Sequence, residues 1–192
     1  MSLLGYSCPM KRSFQPKAKQ ALLMATASVL ARNPGASLSE IAMQAGIGRA
    51  TLYRHFPSRD VLIRELAMEA IAAIDAVTAD VTAQNLPTDQ ALLEFLRGVV
   101  PLGDRFHFLM IETSAYNDPT VKAAYDRQLN ELGAFIGQLK QDGVIASELP
   151  NAWVTSVMDA LIWAAWSAVN NGDLARNDVA MLTYRTLVEG LS

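Results

Sequence analysis

The chain has one cysteine, Cys8, so no intramolecular disulfide can close and a secreted disulfide scaffold is excluded. Glycine and proline are sparse, at 11 and 8 of 192 residues, which excludes collagen-like and other low-complexity chains. Charged residues make up only 18% against 51% hydrophobic, so the chain is no disordered tail and has ample material for a core. Long apolar runs are also missing. The longest, residues 160–166 with Asp159 just before it, falls far short of the ~20 residues of a bilayer span, and no membrane helix is expected. The first ten residues lack the charged start and apolar stretch of a signal peptide. The expected setting is a reducing cytoplasm. Strand signals are almost absent: no alternating run is bounded by Asn-Gly or Asp-Gly turns.

Helical periodicity fills the chain instead. Ala18, Leu22, Ala25 and Val29 recur at helical spacing until Asn33-Pro34-Gly35. Ser37-Leu38-Ser39-Glu40 is a capping box that starts a short helix, which Gly46 breaks. A second short helix is expected over 49–55, and Pro57-Ser58 stops it and caps the next. That one runs over 59–83 with Leu66, Ala70, Ala73, Val77 and Val81 as its apolar face. Further helices are expected at 88–100, 104–116, 119–141, 150–171 and 177–190, punctuated by Pro, Gly and Asn. The fold class is all-α, with about nine helices. A basic-to-acidic division runs along it: residues 1–66 carry nine Lys/Arg against three acids, the remainder seven against sixteen. Such a division suits a polyanion-binding module on a body that repels polyanions; chance clustering is the bland alternative.

Residues 37–59 read as two short helices about a tight glycine turn, a helix-turn-helix. Ala42 is small where the helices cross, Gly46 permits a left-handed turn, and Ile41, Ile47 and Leu52 fill the space between. The second helix carries the donors Arg49, Thr51, Tyr53, Arg54 and His55, chemistry suited to base edges and phosphates in a major groove. Phe56 reads as core. No second His or Cys stands at ligand spacing from His55, so no metal is expected. Gly46-x-Gly48-x-x-Thr51 mimics a dinucleotide fingerprint but lacks the third glycine and a preceding strand.

The residues Ile41-Ala42, Ala45-Gly46-Ile47, Thr51-Leu52-Tyr53, His55-Phe56 and the basic Arg59 together resemble the N-terminal domain of the TetR family of bacterial transcriptional regulators. Departures are Gly48 where serine is frequent, Ala50 where glycine is common, and Arg59 where lysine is usual. The resemblance implies that Ser37 contacts phosphate and that Arg49 and Thr51 face base edges. It further implies that Tyr53 and His55 touch phosphate or flanking bases, and that Arg59 holds phosphate at the start of the fourth helix. Lys11, Arg12, Lys17 and Lys19 are expected to form an arm along the backbone or in the minor groove. The implied organisation is a DNA-binding domain over 11–58 and an effector-binding and dimerisation domain over 59–192.

The second domain carries no recognisable motif. The apolar helix with Trp153, Trp163 and Trp166 reads as buried on more than one side, with one face for the core and another for a partner subunit or a ligand. The last helix, with Met181, Tyr184, Val188 and Leu191, is its natural companion. The family resemblance implies that these two helices form a homodimer interface, and that a small-molecule effector sits among helices four to eight. Residues 106–110 are the most suggestive segment. Phe95, Phe106, Met110, Tyr125 and Trp163 are the expected walls of a site for a bulky, largely apolar effector, with His107 as polar anchor; plain core packing is the competing reading.

No Walker loop, HExxH, nucleophile elbow or CxxC occurs, so no enzyme and no cofactor is expected. Glu112 and Asp159 are candidate buried acids of a helix-bundle network. The expected function is a repressor released from a palindromic operator on double-stranded DNA by such an effector. The alternative is a DNA-binding protein of the same fold that acts through a protein partner.

Overall fold

In a computed structural model, residues 15–191 are described, without the side chains of residues 15–18, Ala31 and Phe106. Lys11 and Arg12, two members of the expected arm, lie outside the described residues, as do the side chains of Lys17 and Phe106. The described residues form nine α-helices: α1 Gln15–Arg32, α2 Leu38–Gln44, α3 Arg49–His55, α4 Arg59–Ala83, α5 Thr88–Val99, α6 Gly103–Ile111, α7 Pro119–Gln141, α8 Asn151–Asn171 and α9 Arg176–Leu191.

Local chemistry sets most of these boundaries. Ser37 Oγ accepts from the Glu40 amide at 3.3 Å, and the Glu40 carboxylate accepts from the Ser37 amide at 2.8 Å, completing the capping box of α2. Gly46 at φ +67° lets the chain turn from α2 into α3. Ser58 caps α4 through the Val61 amide, and Asp118 caps α7 through the amides of Thr120 and Val121.

One expected helix is two. The segment expected as a single helix over 104–116 ends at Ile111 and continues as a 3-10 turn over Thr113–Asn117. The Tyr116 hydroxyl donates to the Leu109 carbonyl, the acceptor that a continuing helix would offer to Thr113. Glu112, at φ −89° and ψ 71°, turns its carboxylate inward.

Two large hydrophobic cores result. The first joins α1, α2, α3 and the first half of α4 around Leu30, Ile41, Leu52, Phe56 and Leu66, and draws in Phe108 and Leu109 of α6 and Val121 of α7. The second joins α5, α7, α8 and α9 around Leu92, Leu96, Ile136, Val154, Ile162 and Leu187. The buried face of α4 is Leu62, Ile63, Leu66, Ala67, Ala70, Ile71 and Ile74. The expected Ala73 is only half-buried, and Val77 and Val81 pack at the edge of the second core. In α1 the buried set is Leu23, Thr26, Ala27, Val29 and Leu30, about a residue's rotation from the expected Ala18, Leu22, Ala25, Val29 stripe. Thr26 is buried because its hydroxyl donates to the Leu23 carbonyl at 2.9 Å.

The expectations for α8 also need correction. Its 21 residues reach a mean hydropathy of 1.3 in the best window, so by length and composition it is apolar enough to cross a membrane, although no uninterrupted apolar run is. Nor is it buried on several sides of this chain. Only the stripe Val154, Met158, Ile162 and Ala165 is buried, while Trp153 is 56% exposed.

Candidate nucleic-acid interface and internal cavity

Helix α3 is held by one side and open on the other. Leu52 and the following Phe56 are fully buried, whereas Arg49, Ala50, Tyr53 and Arg54 are exposed and Thr51 and His55 half-buried. Ser37 stands at the exposed N-terminus of α2, next to amides that no helix bond uses. Ser39 Oγ lies 3.4 Å from the Tyr53 hydroxyl, joining α2 and α3 by a polar edge. Ser39 escaped the sequence reading; its place two residues into a capping box was the available signal.

The cations near this surface differ in what they hold. Lys19 pairs with Glu65 at 2.9 Å, Arg64 with Asp118 at 3.0 Å, and Arg32 donates to the Ser28 carbonyl. Arg49 and Arg54 have no acidic partner among the described residues. Free, exposed guanidinium groups on one short helix are what forked recognition of guanine or phosphate requires. Arg59 is placed differently from the expectation. Its Nε and Nη2 are turned onto the carbonyls of Ala36 and Pro34 and onto Glu112 Oε2, so in this conformation two of its three nitrogens are engaged within the protein.

Between α4, α5 and α7 lies a half-open cavity of about 1090 Å³. Its walls are mostly apolar and include Ile74, Phe95, Leu109, Met110, Leu132 and Phe135; Thr155 of α8 also reaches it. Of the expected ligand-binding residues, Phe95, Met110 and Tyr125 line it. His107 and Trp163 do not. They stack on each other between α6 and α8, with centroids 4.2 Å apart, and Trp166 continues the stack at 4.8 Å. At the rim Arg127 bridges Asp75 at 2.6 Å and Glu131 at 3.0 Å.

The acid–base character at the inner wall follows from burial. Burial raises the Tyr125 phenol above its ordinary pKa; its hydrogen bond with Tyr116 opposes this and the negative charge of Asp159 adds to it. Burial likewise raises the Asp159 carboxyl, against the opposing influence of His107.

Residues 22–66 match the bacterial regulatory proteins of the tetR family. The HTH-type transcriptional repressor LfrR of Mycolicibacterium smegmatis is 29% identical over 177 residues, covering 91% of this chain and 90% of that protein. The chain is similar to TetR-family regulators over most of its length. The crystal structure of the TetR-like regulator LfrR from Mycobacterium smegmatis in complex with proflavine superposes with a TM-score of 0.69 at 28% identity, over 92% of this chain and 97% of that one. The HTH-type transcriptional regulator NfxB of Pseudomonas aeruginosa is 23% identical over 90% of this chain and 94% of its own length. The protein thus resembles DNA-binding transcriptional regulators of the TetR family and has their all-α fold.

Proposed function

We propose that this protein is a homodimeric cytoplasmic repressor that leaves a palindromic operator when a bulky, largely apolar effector fills the cavity between α4, α5 and α7. The observation that carries the DNA half of this reading is the pair of free guanidinium groups, Arg49 and Arg54, on the exposed face of α3. Arg49 and Thr51 read base edges; Ser37, Tyr53, Arg54 and His55 hold phosphates or flanking bases. The DNA-binding unit spans 11–58 and the effector and dimer unit 59–192. The dimer forms through α8 and α9, whose Trp153, Met181 and Leu182 are exposed large apolar residues that a second copy would cover. Two recognition helices one DNA turn apart, ~34–36 Å, then match the two halves of a palindrome.

The size of the cavity favours an effector over a protein partner as the signal, since about 1090 Å³ exceeds what solid cores leave empty. Release is a population shift. A move from 99:1 to 1:99 requires the effector to bind the non-operator form ~10⁴-fold more tightly.

The test is fluorescence anisotropy with the upstream region of the protein's own gene against random duplex. The reading expects competitor-resistant binding by two protomers per site, and loss of discrimination in Arg49→Ala. Equal affinity of the wild type for both duplexes would overturn it.

A further inference from the structure

Ser39 turns its hydroxyl away from its own helix. Thr26, Thr78, Ser156 and Thr183 donate back to a carbonyl three or four residues earlier in theirs. Ser39 stands in the first turn of α2, where the carbonyl three residues earlier, that of Ala36, already accepts from Arg59 Nε at 3.3 Å. Its hydroxyl lies instead 3.4 Å from the Tyr53 hydroxyl, across the crossing of α2 and α3.

The pair sits on the solvent side of that crossing. Leu38, Ile41 and Ala42 of α2 and Leu52 of α3 are buried, while Tyr53 is 44% exposed and Ser39 half-buried. Arg49, one helical turn before Tyr53, and Arg54, next to it, are exposed as well. Two hydroxyls in contact can order their protons either way, and a phosphate selects one order. Its oxygens only accept, so the exposed tyrosine must donate outward, and the phenol oxygen is left to accept from Ser39.

We propose that Ser39 is a positioning residue of the DNA interface: its hydroxyl donates to Tyr53 Oη and aims the phenol so that Tyr53 donates to a backbone phosphate. This rests on the reading of α3 as the recognition helix. A hydroxyl that accepts one bond donates the next more strongly, so the chain Ser39–Tyr53–phosphate is cooperative. The 3.4 Å separation is longer than the ~2.8 Å of a relaxed hydroxyl pair and is expected to shorten as the phosphate is bound. A phosphate contact carries no sequence information but fixes the register of α3, from which Arg49 and Thr51 read. Neither hydroxyl is charged, so the contact adds affinity without releasing counterions.

The experiment titrates the full-length protein by anisotropy against two duplexes, the upstream region of its own gene and a random sequence, from ~0.05 M salt upward. Wild type, Ser39→Ala, Ser39→Thr, Tyr53→Phe and the double variant Ser39→Ala with Tyr53→Phe are compared, and each is melted to check its fold. Ser39→Ala is expected to weaken both duplexes by the same factor, about three- to tenfold, with the salt slope unchanged. The double variant is expected to bind no more weakly than Tyr53→Phe, because Ser39 acts through the phenol. Ser39→Thr keeps the hydroxyl and should stay within about twofold of the wild type. Losses that add in the double variant, a loss that Ser39→Thr shares in full, or no loss in Ser39→Ala would each overturn the positioning role and leave the reading of α3 standing. A lowered melting temperature with a shallower salt slope in Ser39→Ala would mark a loosened helix crossing and overturn it as well. A wild type that binds neither duplex would remove the reading of α3 and the proposal together.

Discussion

Arg59 Nη2 lies 2.8 Å from Glu112 Oε2, joining two residues 53 positions apart in the chain. Arg59 opens α4, immediately after the helix-turn-helix, and Glu112 closes α6, whose preceding residues Leu109 and Met110 line the cavity. The Glu112 side chain is only 8% exposed and also accepts from the Ser114 hydroxyl. The arginine that the family resemblance assigns to phosphate is therefore held by a carboxylate from the other half of the molecule, with which a phosphate would have to compete.

Glu112→Gln should release that competition. The DNA affinity of this variant is expected to rise and its log–log salt dependence to steepen by about one unit as Arg59 gains a phosphate. Stability should fall by about 1–3 kcal/mol for the lost charge-assisted bond. Anisotropy titrations over a salt series, with thermal melts alongside, check both. An unchanged slope would mean that Arg59 stays on the carbonyls of Pro34 and Ala36.

Asp159 should set a pH dependence of stability in the ligand-free protein. Its carboxyl is raised in the folded state by burial, so the folded protein binds this proton more tightly than the unfolded chain does. The corresponding stabilisation is present in acid, below the unfolded value of about 3.9, and is lost as pH rises through the raised folded value. Asp159→Asn removes this loss, so its melting temperature relative to the wild type should improve from acid to neutral pH. Parallel melting curves across that range would refute it.

Gly103 meets Trp166 closely. A Cβ there would stand 2.4 Å from Trp166 Cβ and 3.2 Å from the Ile162 carbonyl, so Gly103→Ala must push α6 from α8. The expected cost is about 1–3 kcal/mol. A changed near-ultraviolet tryptophan signal is expected with it, since Trp166 and Trp163 are stacked.

Arg127→Gln should separate charge from stability at the cavity rim. The bridged groups are well exposed, with 46% of the Arg127 side chain accessible, so less than about 1 kcal/mol of stability should be lost. Thermal melts of the two proteins side by side check it, and a larger loss would mean that the bridge from α4 to α7 is more than a screened surface pair.

The helix-turn-helix was legible because its signals are local. Ser37 and Glu40 satisfy each other three residues apart, Gly46 supplies a turn that side chains resist, and Ser58 caps a helix that the preceding proline delimits. The bounds expected for α3, α4 and α7 match those observed for the same reason. The break at Glu112 was not legible, since it depends on Tyr116 taking the Leu109 carbonyl and on an arginine far back in the chain. Nor could periodicity tell that Met110 and Tyr125 line the cavity while His107 and Trp163 stack beside it. That difference depends on how α6 seats on α8, where Gly103 lies directly against Trp166.

Leu109 belongs to the same packed body as Leu52 and Phe56 and also forms part of the cavity wall. The reading head consequently has no free joint at Ser58, because its footing is the wall itself. A guest that shoved Leu109 aside would push on the masonry that carries α3, and the bulk of a small molecule would become an angle of the reading head.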